Sequence, residues 1–276
     1  MSLTKALKPR RIIGGVTVGT AVAMLSACSG TGGPGRWQHF GYPSPSTESA
    51  QEMGQLWVGS WIAALIIGVL MWGLMGWAFF RYRRRSANER PKQTTYNLPL
   101  EIMYTIVPFL IIGVLFAYTV KVQDSALEVR EDPDVTIEVV GQKWSWTFNY
   151  ADDQVWDAGT VEQTPTLYLP VGERVQFNIH SADVAHSFWV PSFYMKMDAI
   201  PGRVNTFQVT PTAEGTFAGK CAELCGTYHS AMLFNVKIVD RAEYDQQMAE
   251  LKAAGQTGEI MGSSGVDELA QRKGGH

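Results

Sequence analysis

Residues 56–80, LWVGSWIAALIIGVLMWGLMGWAFF, carry no charged side chain over 25 positions. A helix of that length exceeds the roughly 30 Å hydrocarbon core of a bilayer. A second uncharged run spans residues 102–120. A buried core helix is the alternative for either run, but the first run is too long for it. The sequence therefore predicts two transmembrane helices.

The segment between the two runs is strongly basic. Its one acidic residue is Glu89, and its basic residues are Arg81, Arg83, Arg84, Arg85, Arg90 and Lys92. An excess of Lys and Arg in a short loop marks the cytoplasmic side of a membrane. We therefore expect both flanks of the hairpin, and with them the N- and C-termini, to be extracytoplasmic.

The N-terminal residues have the pattern of an export signal. Four basic residues precede a short apolar stretch, residues 12–25, that is too short to span a bilayer. Leu25-Ser26-Ala27-Cys28 follows and resembles a bacterial lipobox, in which Cys28 is lipidated and becomes the new N-terminus. The alternative is an ordinary signal peptide that is cut nearby. Either signal would send the N-terminus out of the cytoplasm.

The part of the chain after the hairpin is rich in short β-forming runs. Apolar residues alternate with polar ones in RVQFNIH, residues 174–180, as in a half-buried strand. Further runs, separated by Pro and Gly, are VTIEVV, TLYLP, VNTFQV and LFNVKIV. Such spacing predicts an antiparallel sandwich or barrel. Residues 241–254 predict a short amphipathic helix, because their apolar residues recur at helical spacing.

These patterns predict a division of the chain into five parts. They are a lipoprotein-type signal peptide (1–27), an extracytoplasmic linker (28–52), a transmembrane hairpin (53–122), an extracytoplasmic β domain (123–240) and a C-terminal helix with a flexible tail (241–276).

The whole chain is 46% hydrophobic and only 18% charged. This composition excludes a disordered chain, a disulfide scaffold and a nucleic-acid binder with a broad basic face.

One stretch of the β domain has the spacing of a metal-binding loop. It is CAELCGTYHSAM, residues 221–232, and His186 stands upstream of it in ADVAHSFWVP. Two thiolates, two imidazoles and a thioether suit copper. A mononuclear blue-copper site uses one Cys, whereas Cys221 and Cys225 can bridge two ions within one short loop. Each ion would then take one His, and the remaining positions fall to Met232 and to the backbone carbonyl of Glu223.

Three other interpretations remain open for the same residues. Cys221 and Cys225 could form a disulfide, since the compartment is oxidising. The set could be a tetrahedral zinc site of Cys and His. His186 could be an ordinary strand histidine.

Several long motifs together resemble subunit II of the cytochrome c oxidases. They are the two-helix hairpin, GQKWSWTFNY, DVAHSFWVPSF, KMDAIPGR and CAELCGTYHSAM, and the likeness covers roughly residues 50–240. The resemblance implies that the external domain is a cupredoxin β-sandwich with a binuclear CuA centre. It implies these copper ligands: His186, Cys221, Glu223 through its carbonyl, Cys225, His229 and Met232.

The resemblance also implies roles for residues around the copper ligands. The Glu223 side chain would reach a Mg²⁺ or Mn²⁺ ion shared with subunit I, as a carboxylate suits a hard cation. Trp144 would lie where electrons enter, and Asp183 near the surface that docks the donor. Glu101 would lie at the mouth of a proton path into subunit I. We interpret Trp146 as a core residue and His180 as structural.

The function implied is electron transfer within a haem-copper cytochrome c oxidase. Subunit II would accept electrons from cytochrome c, or a cytochrome c domain, and pass them to haem in subunit I. There O₂ is reduced to water and protons are pumped. Residues 121–240 hold 16 acidic and 8 basic side chains, which would attract a cationic donor, although solubility explains the same charge.

Three other functions fit parts of the sequence. A quinol oxidase subunit II would lack the copper ligands, which are all present here. A membrane-tethered metallochaperone or copper sensor would not need Trp144, Asp183 or Glu101. A structural lipoprotein would hold a Cys221–Cys225 disulfide.

Overall fold

The computed structural model describes residues 38–90 and 93–262. Two long helices come first, α1 (Glu48–Arg81) and α2 (Leu98–Leu127). Both are apolar, and their most hydrophobic windows are not buried against protein, as expected for helices that face lipid. The predicted pair of transmembrane helices is therefore present.

Each of the two long helices begins at a capping side chain. Thr47 Oγ1 accepts a hydrogen bond from Ala50 N at 3.2 Å, so α1 begins at Glu48, inside the range predicted as linker. Asn97 Oδ1 accepts from Leu100 N at the start of α2. At their N-terminal ends the helices extend beyond the uncharged runs, and these caps stabilise the polar first turns.

A β-sandwich follows the hairpin, and its two sheets have five strands each. The strands in chain order are β1 (Val135–Gln142), β2 (Ser145–Tyr150), β3 (Val155–Ala158), β4 (Thr166–Pro170), β5 (Val175–Ser181), β6 (His186–Val190), β7 (Met195–Ala199), β8 (Asn205–Val209), β9 (Gly215–Cys221) and β10 (Leu233–Val239). The first sheet has the order β3-β2-β1-β5-β8, and the second has the order β4-β10-β9-β6-β7.

The strand pairing differs from the prediction at two places. The β1–β5 and β4–β10 pairs are parallel, whereas the other pairs are antiparallel. Between β1 and β5 the chain forms β4 in the second sheet and then returns to the first sheet. It therefore enters β1 and β5 from the same end. The expected sandwich is confirmed, but its sheets are mixed rather than purely antiparallel.

Aromatic side chains fill the space between the sheets. Phe188 stacks on Phe234 with ring centroids 4.8 Å apart, and Trp146 packs edge-on against both. Phe234 lies opposite Gly219 across the β9–β10 pair, where a side chain would overlap the phenyl ring. Trp146 is fully buried, as predicted for a core tryptophan.

A third helix, α3 (Arg241–Ala253), closes one side of the sandwich. Its residues Tyr244, Met248 and Leu251 are buried, which confirms the predicted amphipathic helix. Asp240 caps its first turn by accepting a hydrogen bond from Glu243 N at 2.8 Å. The chain beyond α3 crosses β2, where the Asn149 side chain bonds to both backbone groups of Ile260.

The start of α1 is fastened to the sandwich. Ser46 N donates to Ser192 O, and Glu48 N donates to Thr210 O, each at 3.0 Å. Nearly two turns further on, Gly54 is buried, and a Cβ there would lie 3.1 Å from the ring of Tyr194. The hairpin and the sandwich are thus joined by backbone hydrogen bonds and by packing.

Candidate metal centre

The metal-binding loop connects two adjacent antiparallel strands of the second sheet. Cys221 is the last residue of β9, and Leu233 is the first residue of β10. Cys221 N donates to Met232 O at 3.0 Å, which closes the base of the loop. His186 begins β6, the other neighbour of β9. The sheet order therefore brings the upstream histidine to the loop, as the sequence alone could not show.

The two loop cysteines are not bonded to each other. Cys221 Sγ and Cys225 Sγ are 3.8 Å apart, and both are free and buried. A disulfide requires about 2.05 Å between the sulfurs. The separation leaves room for cations that both sulfurs contact.

Each sulfur has its own imidazole. His186 Nδ1 lies 3.9 Å from Cys221 Sγ, and His229 Nδ1 lies 3.6 Å from Cys225 Sγ. Three possible ligand atoms, the Sγ of Cys221, the Sγ of Cys225 and a ring nitrogen of His186, all lie within 4.8 Å of one another. Three ligand atoms at this spacing can surround one metal ion.

Two weaker donors complete the arrangement, one beside each sulfur. The backbone carbonyl of Glu223 lies 3.3 Å from Cys221 Sγ, and Met232 Sδ lies 3.8 Å from Cys225 Sγ. Met232 is fully buried, whereas the side chain of Glu223 is exposed. All six residues predicted as copper ligands are thus brought together. The mixture of thiolate, imidazole and thioether suits copper.

The two thiols differ in acidity. Burial, the largest single influence, acts against ionisation of Cys221, but its hydrogen bonds with the His186 imidazole, the backbone of Glu223 and Ser187 and the His229 imidazole together outweigh it, and the thiol pKa falls to about 6. Burial and then the negative charge of Cys221 raise the pKa of Cys225 to about 12. A cation that binds both sulfurs must therefore displace the second proton itself.

Asp183 holds the side of His186 that faces away from the cysteines. His186 Nε2 lies 2.7 Å from Asp183 Oδ1, and Asp183 Oδ2 accepts a hydrogen bond from Lys143 N at 2.8 Å. A carboxylate in this position fixes the imidazole so that Nδ1 stays directed at the metal. The predicted docking residue is thus in contact with a predicted ligand, and its side chain is 30% exposed.

Trp144 lies beside the metal-binding loop. Its ring meets Tyr228 edge-on, with centroids 5.0 Å apart, and a Cβ at Gly226 would lie 3.1 Å from its Nε1. The indole N–H has no hydrogen-bond partner in the described part of the chain. The ring therefore reaches the loop between two predicted ligands, Cys225 and His229.

Sequence reasoning missed three residues around the site. Tyr228 covers Trp144, and Leu224, between two predicted ligands, is 78% exposed. Gly141 packs against His186, because a Cβ there would lie 3.2 Å from the imidazole. A glycine inside a strand pattern is a signal of such close approach. Gly141 gives this signal, because it is the first residue of GQKWSWTFNY.

The other residues singled out in the sequence lie away from the loop. His180 Nε2 contacts Glu138 Oε2 at 2.5 Å on the first sheet, which agrees with a structural role. Glu101 lies in the first turn of α2, where its Oε1 accepts a hydrogen bond from Asn97 N at 3.1 Å. Cys28 and Lys92 lie outside the described residues.

Fold and site together define a membrane-anchored β-sandwich protein with a candidate metal site of cysteine and histidine side chains. Two family models match the chain. The periplasmic domain of cytochrome c oxidase subunit II matches residues 135–239, and the transmembrane domain of the same subunit matches residues 35–122.

Curated relatives match over nearly the whole chain. The probable cytochrome c oxidase subunit 2 of Streptomyces avermitilis is 42% identical over 303 residues, which covers 96% of this chain and 93% of the relative. Cytochrome c oxidase subunit 2 of Mycobacterium tuberculosis is 35% identical and covers 89% of this chain and 86% of the relative. The chain belongs to the cytochrome c oxidase subunit II family and is thus a component of a haem-copper oxidoreductase complex.

A solved structure is similar to the external domain. It is the periplasmic domain of subunit II of cytochrome oxidase from Bradyrhizobium japonicum, 29% identical, with a TM-score of 0.43. The match covers 46% of this chain and 99% of that one. The family implies a CuA copper centre, for which the His186, Cys221 and Cys225 cluster is the candidate site.

Proposed function

We propose that this subunit accepts electrons from cytochrome c, or from a cytochrome c domain, at a binuclear copper centre. The copper ligands are His186, Cys221, the Glu223 carbonyl, Cys225, His229 and Met232. From there the electrons pass to haem in subunit I, where O₂ is reduced to water and protons are pumped.

The observation that carries the proposal is the pairing of donors around two separate sulfurs. Cys221 has His186 and the Glu223 carbonyl beside it, and Cys225 has His229 and Met232. This division supports two ions that share both thiolates. A mononuclear site would need only one of the two cysteines.

The protein's own residues keep the ligand positions constant. Bound copper supplies reversible one-electron chemistry. The Cys221–Met232 backbone hydrogen bond closes the loop, and Asp183 fixes the His186 ring. A metal site whose ligands do not move between oxidation states has a low reorganisation energy. We therefore infer that these contacts increase the rate of electron transfer.

The test is the metal content of the purified full-length chain, measured with its electron paramagnetic resonance spectrum. We expect two coppers per chain and a mixed-valence signal. One copper per chain, or zinc, would contradict the binuclear assignment. Free-thiol counting after metal removal separates this function from a structural lipoprotein with a Cys221–Cys225 disulfide.

A membrane-tethered chaperone or sensor would also bind copper, so a second measurement is needed. An oxidase subunit co-purifies with a haem-bearing multi-span protein, whereas a chaperone does not. Pull-down of the full chain from its own membranes, followed by haem spectroscopy, distinguishes them.

The exposed carboxylate of Glu223 supports a second metal role. We infer that it binds Mg²⁺ or Mn²⁺ at the boundary with subunit I while its carbonyl faces copper. Oxygen donors suit such hard cations. Glu223→Gln should lower the Mn²⁺ content of the assembled oxidase and leave its copper content unchanged.

Electron entry is assigned to Trp144, which packs against the loop that carries the ligands. The acidic external domain would attract a cationic donor over a long range. Asp183 retains its proposed docking role through its exposed part, in addition to its contact with His186. Raising the ionic strength should therefore slow the reaction with the donor.

Glu101 is proposed to lie at the mouth of a proton path into subunit I. Its bond to Asn97 N also gives it a capping role in α2. Glu101→Gln keeps a side-chain oxygen for the cap and removes the charge. It should therefore reduce proton uptake while α2 remains folded.

The membrane arrangement is the last part of the proposal. The arginine-rich loop is cytoplasmic, and both termini are outside, in a bacterial cell membrane. Residues 1–27 are removed, and Cys28 carries lipid. The predicted linker (28–52), hairpin (53–122), copper domain (123–240) and C-terminal segment (241–276) keep this order along the chain, although the hairpin helices begin at Glu48 and end at Leu127. Mass spectrometry of the mature N-terminus tests the cleavage and the lipid.

A further inference from the structure

The loop after α1 is a folded turn rather than an extended linker. Arg84 Nε donates to Ser86 O at 2.9 Å, and its other nitrogen donates to Ala87 O. Glu89 Oε2 accepts from Arg85 N at 2.9 Å, and Glu89 N donates to Ser86 O. The Arg84 guanidinium and the Glu89 carboxylate thus form hydrogen bonds with the backbone of the turn itself.

This turn leaves other guanidinium groups without a carboxylate. Arg83, Arg85 and Arg90 are exposed, and none forms an ion pair within residues 38–90 and 93–262. All three line a single cleft of about 860 Å³, which Arg81, Arg84 and one acidic residue, Glu89, line as well, so that basic side chains outnumber the carboxylate by five to one. Like charges held around one cleft repel one another, so an anion bound there would relieve the repulsion.

The position of the cleft restricts what the anion is. The cleft begins at Arg81, the last residue of a helix that crosses the membrane, and Tyr82 lies at its edge. Tyrosines at such positions lie at the level of the lipid headgroups. Clusters of basic residues directly after a transmembrane helix attract anionic lipids. Guanidinium groups also match the geometry of phosphate.

We propose that the cleft lined by Arg83, Arg85 and Arg90 binds the phosphate of an anionic phospholipid. The acyl chains of that lipid would lie along the C-terminal part of α1, whose exposed apolar residues include Trp77 and Phe80. A carboxylate-rich surface of another oxidase subunit is the competing occupant.

Native mass spectrometry of the full-length chain tests the proposal. The chain is exchanged into vesicles of phosphatidylcholine alone or of phosphatidylcholine with phosphatidylglycerol. Retained phosphatidylglycerol, but not phosphatidylcholine, is expected. Arg83→Gln with Arg85→Gln should weaken retention about 25-fold, since each cation near an anionic membrane contributes a factor of about five.

Two double variants give the controls. Lys220→Gln with Lys252→Gln removes the same charge from exposed positions of the sandwich and of α3, and should leave retention unchanged. Arg83→Lys with Arg85→Lys keeps the charge but loses paired phosphate contacts, and should give intermediate retention. Equal retention by the Gln and wild-type chains would overturn the proposal.

Two further arms separate the competing anions. Displacement of the lipid by inorganic phosphate at low concentration would overturn the proposal in favour of a free-anion site. The same measurement is made on the assembled oxidase. If the lipid is retained there, the proposal stands; if the isolated chain alone retains it, the cleft is a protein contact and the proposal fails.

Discussion

His186 Nε2 and Asp183 Oδ1 are 2.7 Å apart, and Asp183 thereby connects the first residue of β6 to the turn between β1 and β2. The other oxygen of the same carboxylate accepts from Lys143 N, directly before Trp144. One side chain therefore fixes both the orientation of a candidate ligand and the path of the residue assigned to electron entry.

Asp183→Asn should weaken copper binding while leaving the fold intact. The amide keeps the size of the side chain but loses the charge that orients His186. Loss of such a contact lowers metal affinity by about 10–100-fold. Chelator competition measures the change. Asp198→Asn is the matched control, because Asp198 bonds to Ser187 and Lys196 and to neither imidazole. Equal affinity of the two variants would remove the positioning role.

Cys225→Ser should abolish the binuclear copper signal. Serine keeps the shape of the side chain but replaces a soft thiolate by a hydroxyl that copper binds poorly. The copper content should fall from two per chain to one or none, measured by elemental analysis. Cys221→Ser should behave alike, because in the proposed centre both sulfurs would bind both ions. A variant that kept both ions and the mixed-valence spectrum would show that the thiolates do not bridge.

Met232→Leu should retain copper but shift its reduction potential. Met232 is fully buried, and the replacement conserves volume, so the free energy of unfolding should change by less than about 1.5 kcal/mol. Weak axial ligands tune the potential of copper sites. Redox titration of the copper absorption gives the shift. An unchanged potential would place Met232 in the core rather than among the ligands.

Trp144→Phe should slow electron entry from the donor and leave the copper content unchanged. The smaller ring loses part of the contact with Gly226 and Tyr228. Stopped-flow reduction of the oxidase by cytochrome c measures the rate. Trp189→Phe makes the same change at a ring covered by Lys220, in β6 of the second sheet, and should leave the rate unaltered. Identical rates for both variants would contradict the role of Trp144.

Gly219→Ala should destabilise the sandwich by about 1–3 kcal/mol, as overpacking does. The added Cβ would lie 2.1 Å from the Phe234 ring, so the phenyl group must leave its stack on Phe188. Thermal unfolding of the full chain measures the loss. Combining it with Phe234→Leu should recover part of the stability, since the overlap then disappears. Strict additivity of the two changes would mean that the residues do not interact.

The sequence predicted what depends on local pattern. Uncharged length identified both helices, alternation identified RVQFNIH as a strand, and ligand chemistry identified the six residues now found together. The parallel β1–β5 pair could not be predicted, because pairing depends on which sheet the intervening strand joins. The Asp183–His186 contact was missed for a related reason. Three residues of separation do not reveal which way a carboxylate faces at the end of a strand.

The length of α1 has a mechanical consequence. Its 34 residues rise about 50 Å, whereas the hydrocarbon core takes about 30 Å, so several turns stand clear of the lipid. The first two of those turns contact the sandwich through Glu48 and Gly54, and Ser46, just before the helix, bonds to it as well. The length of α1 therefore sets the distance of the external domain from the membrane, and its helical phase sets the direction in which that domain faces. Deleting Gln55, which lies between the Gly54 contact and the uncharged run, would lower the contact surface of α1 by about 1.5 Å and rotate it by about 100° about the helix axis.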